Sequence, residues 1–514
     1  MSWSYAPNTE VSSFHQLVKA RMTAPSKILI KNSEDRAFSC VDYWSLAGQM
    51  ANVLVARGVR RGDRIAVQVE KSIEALAVFL ACSRIGGVFL PLNTAYTAAE
   101  LDHFIGDAGP SLIICSPERE ESITVIATKH SCRAVETLDA KGGGTFMDIV
   151  SCMPSAFIDN KVTWDDLIAI LYTSGTTGRS KGAMLTHGNL ASNALALVDT
   201  WQITPEDVLI HALPIYHTHG LFTATNTILL AGGTMIFLPK FDANDVIAWI
   251  PQATMMMGVP TFYTRLLQHP GLTRHLTAHM RLFISGSAPL LTETHQQFLK
   301  RTGHAILERY GMTETNMNAS NPYDGARRAG TVGKPLPGVE LRITDPATGS
   351  VLAQGETGMI EVRGPNVFKG YWRMPEKTAE EIRSDGYFIT GDLGRIDADG
   401  YISIVGRGKD LVITGGFNVY PKEVESEIDA IEGVVESAVI GIPHPDFGEG
   451  VTAIVVLATS GAKLTERDIV RALETRLAKF KMPKRVIAVE SLPRNSMGKV
   501  QKNVLREAYA SIYS

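Results

Sequence analysis

The run DLIAILYTSGTTGRSKG, Asp166 to Gly182, sets an apolar segment directly before a loop of glycines, hydroxyl residues and two cations. A short apolar run bounded by turn residues reads as a buried strand. The loop after it carries backbone N–H groups unshielded by side chains, hydroxyl donors and positive charge, which together suit a polyphosphate. Two other loops share parts of this composition. A Walker A loop needs G-x-x-x-x-G-K-[ST], and neither Gly175 nor Gly178 starts that spacing. Gly178 to Gly182 matches G-x-S-x-G formally, but a nucleophile elbow sets its serine on a tight strand-to-helix turn. Here a Thr/Ser/Gly run separates Ser180 from the strand. The loop is read as a triphosphate binder.

Outward from the loop, strand-like and helix-like runs alternate. RIAVQV (Arg64–Val69) has strand periodicity; Ser72 reads as an N-cap, and Ile73–Ile85 as a buried helix stopped by Gly86 and Gly87. VFLPL, SLIIC, DVLIHALP, TMIFLP and RLFISG supply further strands. Strands separated by helices predict α/β layering with mostly parallel pairing. From about residue 330 to 405 short strands with Gly, Pro and Asp turns predict a β-rich subdomain. After the polar stretch 406–411, read as a hinge, residues 412–514 predict a small α+β domain. Its helices are Glu423–Ile431 and Thr465–Ala478. The expected organisation is thus an N-terminal domain over 1–405, a hinge and a C-terminal domain.

Composition excludes several classes. The 514 residues are 45% hydrophobic and 20% charged, which is globular composition. Fifty basic residues against 53 acidic ones give a net charge of −3, so nucleic acid is not an expected partner. Five cysteines in an odd set without CxxC argue against disulfides and structural zinc. No apolar run reaches membrane-spanning length and the N-terminus has no signal-peptide pattern, so a cytoplasmic location is expected.

The loop TSGTTGRSKG resembles the signature of the adenylate-forming superfamily, which includes acyl-CoA synthetases, adenylation domains and luciferases. Further motifs resemble that superfamily in order along the chain: GGVFLPLNTAY, PIYHTHG, ISGSAPL, ERYGMTET, YFITGDLG, GRGKDLVITGGFNVYP, LAKFKMP and PRNSMGKVQK. HALPIYHTHGLF, GVPTFYTRLL and RLFISGSAPLL are most similar to its malonyl-CoA synthetase branch. The resemblance implies ATP, Mg²⁺ and coenzyme A as reactants and cofactors. A carboxylate is first adenylated, and the acyl group then passes to the coenzyme A thiol.

It also implies residue roles. Thr173, Ser174, Gly175, Thr176, Thr177, Gly178 and Lys181 would hold the β- and γ-phosphates. Gly286, Ser287, Ala288, Pro289, Glu308, Arg309, Tyr310, Gly311 and Met312 would line the nucleotide. Thr313 would face the α-phosphate and Glu314 would hold Mg²⁺. Asp392 and Arg407 would meet the ribose, and Gly415 and Gly416 would border the pantetheine tunnel. Lys499 would reach the α-phosphate during adenylation, then leave as a C-terminal lid turns about Lys409 or Asp410. Related synthetases are silenced by acetylation at this lysine, which implies an acetyltransferase and a deacetylase as partners.

Malonate has a second carboxylate, and the branch resemblance implies Arg265 and Ser287 as its receivers, with His217 lining the pocket. Read alone, Arg265 is a solvated arginine on a helix face. His217 and His219 form an H-x-H pair that would share a face on a strand, but no third ligand marks a metal site. Three other readings stand beside malonate or methylmalonate activation. They are a ligase for another short or aromatic acid, an adenylation protein loading a carrier thiol, and an inactive binding protein on this fold.

Overall fold

The computed structural model describes residues 11–32, 34, 36–173, 180–414, 417–458, 464–474, 476–495 and 498–513. The apolar run before the phosphate loop is the strand Leu167–Thr173, fifth in a six-stranded sheet. It runs parallel to Val88–Pro91 and antiparallel to Lys181–Thr186, the strand that follows the loop. The remaining strands, Ala134–Thr137, Leu112–Cys115 and Arg64–Gln68, pair in parallel, as helical crossovers require. Arg64–Gln68 and Leu112–Cys115 were legible as strands from sequence, whereas Ala134–Thr137, half of it Glu136 and Thr137, was not.

Helix Ile73–Ile85 shows how completely the layers close. All its residues are buried, and all but Glu74, Ser83 and Arg84 are apolar, as suits an inter-layer helix. Ser72 Oγ accepts the Ala75 N–H at 3.0 Å, and Gly86 at φ +68° ends the helix in the left-handed region. Arg84 is buried within it. Asp159 at 2.7 Å and the carbonyls of Trp44 and Phe157 satisfy its guanidinium.

A nine-stranded sheet forms the second large layer, ordered Lys334–Pro335, Asn316–Ser320, Leu307–Met312, Leu282–Ser285, Met255–Gly258, Val208–His211, Thr234–Phe237, Ile28–Asn32, Ala37–Ser39. Its middle strands are parallel. The motif-bearing segments 211–220, 285–290 and 311–315 all follow their carboxyl ends, where open α/β sheets bind ligands.

By compactness the chain divides into Met1–Glu340 with Val362–Phe388, and Leu341–Glu361 with Ile389–Ser514. The β-rich stretch, a four-stranded sheet ending in the antiparallel pair Phe388–Ile396 and Ile402–Arg407, groups mostly with the second unit. That unit's other sheet centres on Gly448–Leu457, antiparallel to Val434–His444 and parallel to Arg485–Val489. Val424, Ile428, Val439, Val451, Ile469 and Leu473 fill its core. The amphipathic helix expected over 465–478 is shorter, Glu466–Leu473, capped by Thr465. A turn after Leu473 brings Leu477 into the same core and leads to the strand Arg485–Val489. No helix among the described residues is long and apolar enough to cross a membrane.

Candidate active site

Thr173 and Lys181 are register partners at the mouth of the phosphate hairpin. Ser174, Gly175, Thr176, Thr177 and Gly178 lie outside the described residues. Ser180 leads into an antiparallel strand and not into a helix, so the nucleophile-elbow geometry is absent. Lys181 Nζ donates to Glu381 Oε1 at 2.9 Å and lies 4.1 Å from the ring centroid of Tyr371. The Tyr371 hydroxyl stands 2.6 Å from Glu381 Oε2 and 3.2 Å from Glu314 Oε1. Burial would raise the Glu381 carboxyl, but Tyr371, Lys181 and Lys377 hold it below its ordinary value.

Thus the cation of the phosphate hairpin and the expected metal carboxylate are linked through two residues that sequence reasoning missed. Tyr371 arrives because residues 369–372 hydrogen-bond the Lys181–Thr186 strand. Lys369 N–H reaches the Met184 carbonyl at 2.9 Å and Trp372 N–H the Gly182 carbonyl at 2.7 Å. Glu314 is buried at 5% exposure, and Phe368 N–H fixes its carbonyl at 2.8 Å. One carboxylate beside a phosphate site fits Mg²⁺, which is commonly held by one or two carboxylates, phosphate oxygens and waters. No group of three or more His, Cys, Asp or Glu suited to a metal occurs among the described residues.

A second cluster surrounds the SGSAP turn. Strand Leu282–Ser285 ends in Gly286, and Ser287 adopts a left-handed φ of +73°. His219 Nδ1 lies 3.1 Å from Ser287 Oγ. His219 is not on a strand; it begins a buried π-helical turn, His219–Ala224, so the H-x-H pair lacks the alternating geometry expected of it. Met312 and Thr313 are half-buried, as are Ser287 and Ala288, whereas Pro289 is exposed. Glu308 turns away from Arg309 along its strand, and its Oε1 accepts the Leu290 N–H at 3.3 Å.

Arg309 is the exceptional residue of this cluster. It is 4% exposed, and its Nε and Nη2 have no partner among the described residues. Burial pulls its guanidinium down to about 9. A Cβ on Gly286 would stand 2.4 Å from its Cζ, so only glycine lets the guanidinium lie against this backbone. Burial, then the nearby Arg309, His217 and His211, holds His219 well below the usual imidazole range. No carboxylate pairs with Arg309, His219 or His211 among the described residues. Arg265, in contrast, lies on the exposed side of helix Pro260–Gln268, whose Tyr263 and Leu266 are buried.

In the second unit, Asp392 and Arg407 are register partners and form an ion pair at 2.7 Å. Lys499 is exposed on a tight hairpin, where its N–H donates to Asn495 Oδ1 at 3.0 Å and Gly498 takes φ +75°. Arg494 clamps this hairpin by donating to the Gly498 carbonyl at 2.5 Å and pairing with Glu436. Lys409 and Asp410 lie in a single 3₁₀ turn, and Asp410 pairs with Arg506 at 2.6 Å. Gly415 and Gly416 lie outside the described residues.

The chain matches the AMP-binding enzyme family over residues 18–372 and the AMP-binding enzyme C-terminal domain over 423–499. It is 37% identical over 497 residues to a malonate–CoA ligase of Arabidopsis thaliana, covering 90% of this chain and 80% of that one. A feruloyl-CoA synthase of an Amycolatopsis species is 38% identical over 466 residues, covering 90% of this chain and 92% of its own. The ATP-bound crystal structure of MatB from Rhodopseudomonas palustris is 61% identical and superposes with a TM-score of 0.96. That match covers 98% of this chain and all of the other.

Proposed function

The chain belongs to the AMP-binding enzyme family, and we propose that it is a malonate–CoA ligase, converting malonate, ATP and coenzyme A to malonyl-CoA, AMP and pyrophosphate. Relatives of nearly equal identity act on malonate and on ferulate, so the acid must be read from the pocket. The observation that carries the reading is Arg309: a buried guanidinium beside Ser287 and His219 with two nitrogens unpartnered, and no carboxylate paired with it, among the described residues. A fork of that kind receives a carboxylate through two parallel hydrogen bonds. Malonate offers it the carboxylate that does not react. Arg309, expected at the nucleotide, is thereby assigned to the acid; Arg265 and His217 are its outer partners.

In the first step a malonate oxygen attacks the α-phosphorus of ATP and pyrophosphate leaves. In the second the coenzyme A sulfur attacks the acyl carbonyl and AMP leaves. Both reactants of the first step are anions, so neutralisation and alignment dominate its barrier. Lys181 and the hairpin starting at Thr173 take the terminal phosphates, Thr313 and Lys499 the α-phosphate, and Asp392 with Arg407 the ribose. Glu314 would hold Mg²⁺, which when bound would neutralise phosphate charge. A hinge at Lys409 or Asp410 moves a lid of residues 412–514 between the steps. Gly415 and Gly416 border the thiol's path, and the exposed Phe417, stacked on Phe480 at 4.8 Å, offers a flat face to the nucleotide end of coenzyme A.

Lys499 is exposed, and acetylation there by a lysine acetyltransferase would remove the charge adenylation needs. Protein acetylated at Lys499 that still adenylates malonate at full rate would overturn that assignment. All five cysteines are free thiols, which suits a reducing, cytoplasmic compartment. The test of the main proposal is AMP formation with ATP, Mg²⁺ and coenzyme A across malonate, methylmalonate, succinate, acetate, butyrate and 4-coumarate. Malonate should lead, with methylmalonate next; preference for a monocarboxylate would refute the pocket assignment while keeping the ligase chemistry.

A further inference from the structure

We propose that Lys71 is a positioning residue for the acyl pocket: by donating to His211 Nδ1 it fixes the imidazole tautomer that anchors the His219–Ala224 turn, and so places His219 against Ser287. The inference rests on the reading of His219, Ser287 and Arg309 as the malonate site.

Lys71 follows strand Arg64–Gln68 of the six-stranded sheet, and His211 ends strand Val208–His211 of the nine-stranded one. Their contact therefore joins the two layers. Lys71 Nζ lies 3.0 Å from His211 Nδ1 and 2.7 Å from the His211 carbonyl oxygen, and 4.2 Å from the ring centroid of Phe237. No carboxylate forms an ion pair with it among the described residues, and burial holds its amino group well below the ordinary lysine value. A half-buried lysine whose amine has no carboxylate partner among the described residues still costs the fold desolvation, so a purely structural contact would be better made by an apolar side chain.

The hydrogen bonds determine the tautomer. As an ammonium Lys71 can only donate, and as a neutral amine it can donate or accept; the Gly220 carbonyl, which can only accept, puts the ring hydrogen on Nε2 and leaves Nδ1 to accept from Lys71. Nε2 is 2.9 Å from the Gly220 carbonyl oxygen and 3.2 Å from Thr225 Oγ1, and Thr225 Oγ1 itself donates to that carbonyl at 2.9 Å. The Nε2 hydrogen is the donor this acceptor requires. With the opposite tautomer a nitrogen lone pair would face the carbonyl, and the turn would be pushed away. Gly220 is the residue after His219, and a Cβ on it would meet the Pro214 carbonyl oxygen at 2.0 Å, so its backbone is pinned on the other side. One ring, one carbonyl and one peptide thus connect Lys71 to the His219–Ser287 contact. Burial is the first cause that lowers His211, and Lys71 the second, so the ring is neutral and has one tautomer to choose.

The test uses the full chain. Nitrogen-15 histidine spectra should show His211 as the Nε2–H tautomer in the wild-type protein and not in Lys71→Met. The variant should raise the malonate KM at least tenfold while leaving the ATP KM within twofold. If Lys71→Met does not fold, the pair His211→Gln and His211→Asn decides. Glutamine sets an amide N–H near the Nε2 position and should recover much of the malonate affinity that asparagine loses. An unchanged tautomer in Lys71→Met overturns the proposal, as do equal losses in the two His211 variants, or parallel rises in both KM values. Lack of malonate turnover by the wild-type protein would refute the substrate reading instead, and the tautomer, read without substrate, would still judge Lys71.

Discussion

Replacing Arg309 with methionine should make the protein more stable and nearly abolish its use of malonate. The guanidinium is 4% exposed and pulled down to about 9 by burial. Set against an ordinary arginine value above 12, and at ~1.4 kcal/mol per tenfold change in ionisation, that is on the order of 5 kcal/mol against the charged form. The sign follows from proton binding. Between about 9 and the ordinary value the unfolded chain holds more protons than the folded one, so stability rises with pH there, and the full penalty applies below about 9. Neighbouring dipoles and relaxation return part of it. Substitutions of buried charges by apolar side chains of similar volume gain ~1–4 kcal/mol, and the lower half of that range applies here. Thermal melting at pH 7.5 should therefore rise by a few degrees. Removing one partner of a desolvated pair costs roughly 3–5 kcal/mol, which at ~1.4 kcal/mol per tenfold is two to nearly four orders of magnitude in kcat/KM for malonate. ATP–pyrophosphate exchange measures that loss. A variant that melts lower and keeps kcat/KM for malonate within threefold of wild type would refute the reasoning on both counts.

Three further outcomes follow from the geometry. Glu381→Gln removes the carboxylate that competes with a triphosphate for Lys181, so the ATP KM should fall by up to about tenfold, ~1.4 kcal/mol; a rise would show that Glu381 aims Lys181 instead. Arg494→Met unclamps the Lys499 hairpin, so ATP–pyrophosphate exchange should drop at least about tenfold while thioester formation from supplied malonyl-AMP is spared; equal losses in both would contradict the assignment. Burial, against the pull of Lys422 and the Ser437 hydroxyl, raises the Asp429 carboxyl to about 6. Between its unfolded value near 4 and about 6 the folded state holds more protons, so stability falls as pH rises through that window. Asp429→Asn should thus gain up to about 3 kcal/mol at pH 7.5 and almost nothing at pH 4, as read from urea unfolding at both values.

What could be read from sequence was local. The strand before the phosphate loop, the Ser72 cap and the Gly86 stop each declare themselves within a few residues, and each is where its pattern put it. Tyr371 and Glu381 were not legible, since they meet Lys181 across about two hundred residues through backbone pairing that no periodicity encodes. Arg309 sat inside a recognised motif, but its burial and its unpartnered nitrogens were not legible there. ERYGM sets two charged residues, Glu308 and Arg309, side by side without marking which face is inward, and only the neighbouring strand with Gly286 decides it. The exposed placement of Arg265, in contrast, was written in the sequence. Tyr263 and Leu266 define the buried face of its helix, and position 265 falls off that face.

With Arg309 assigned to the acid as proposed, the selectivity of the site follows from the same cost that destabilises it. A pocket that admits malonate admits acetate, so size cannot exclude the smaller acid. Size alone is a weak discriminator, at ~1–3 kcal/mol per methylene. Acetate, however, has no second carboxylate, and binding it would leave the Arg309 guanidinium enclosed and unpaired behind the substrate. Because Gly286 lets the backbone press against that guanidinium, Arg309 has little room to swing toward water and relieve the charge. The burial cost is then recovered only by an acid that carries a second anion to the right place. A pocket built on an apolar floor would have no such means of refusing acetate or butyrate.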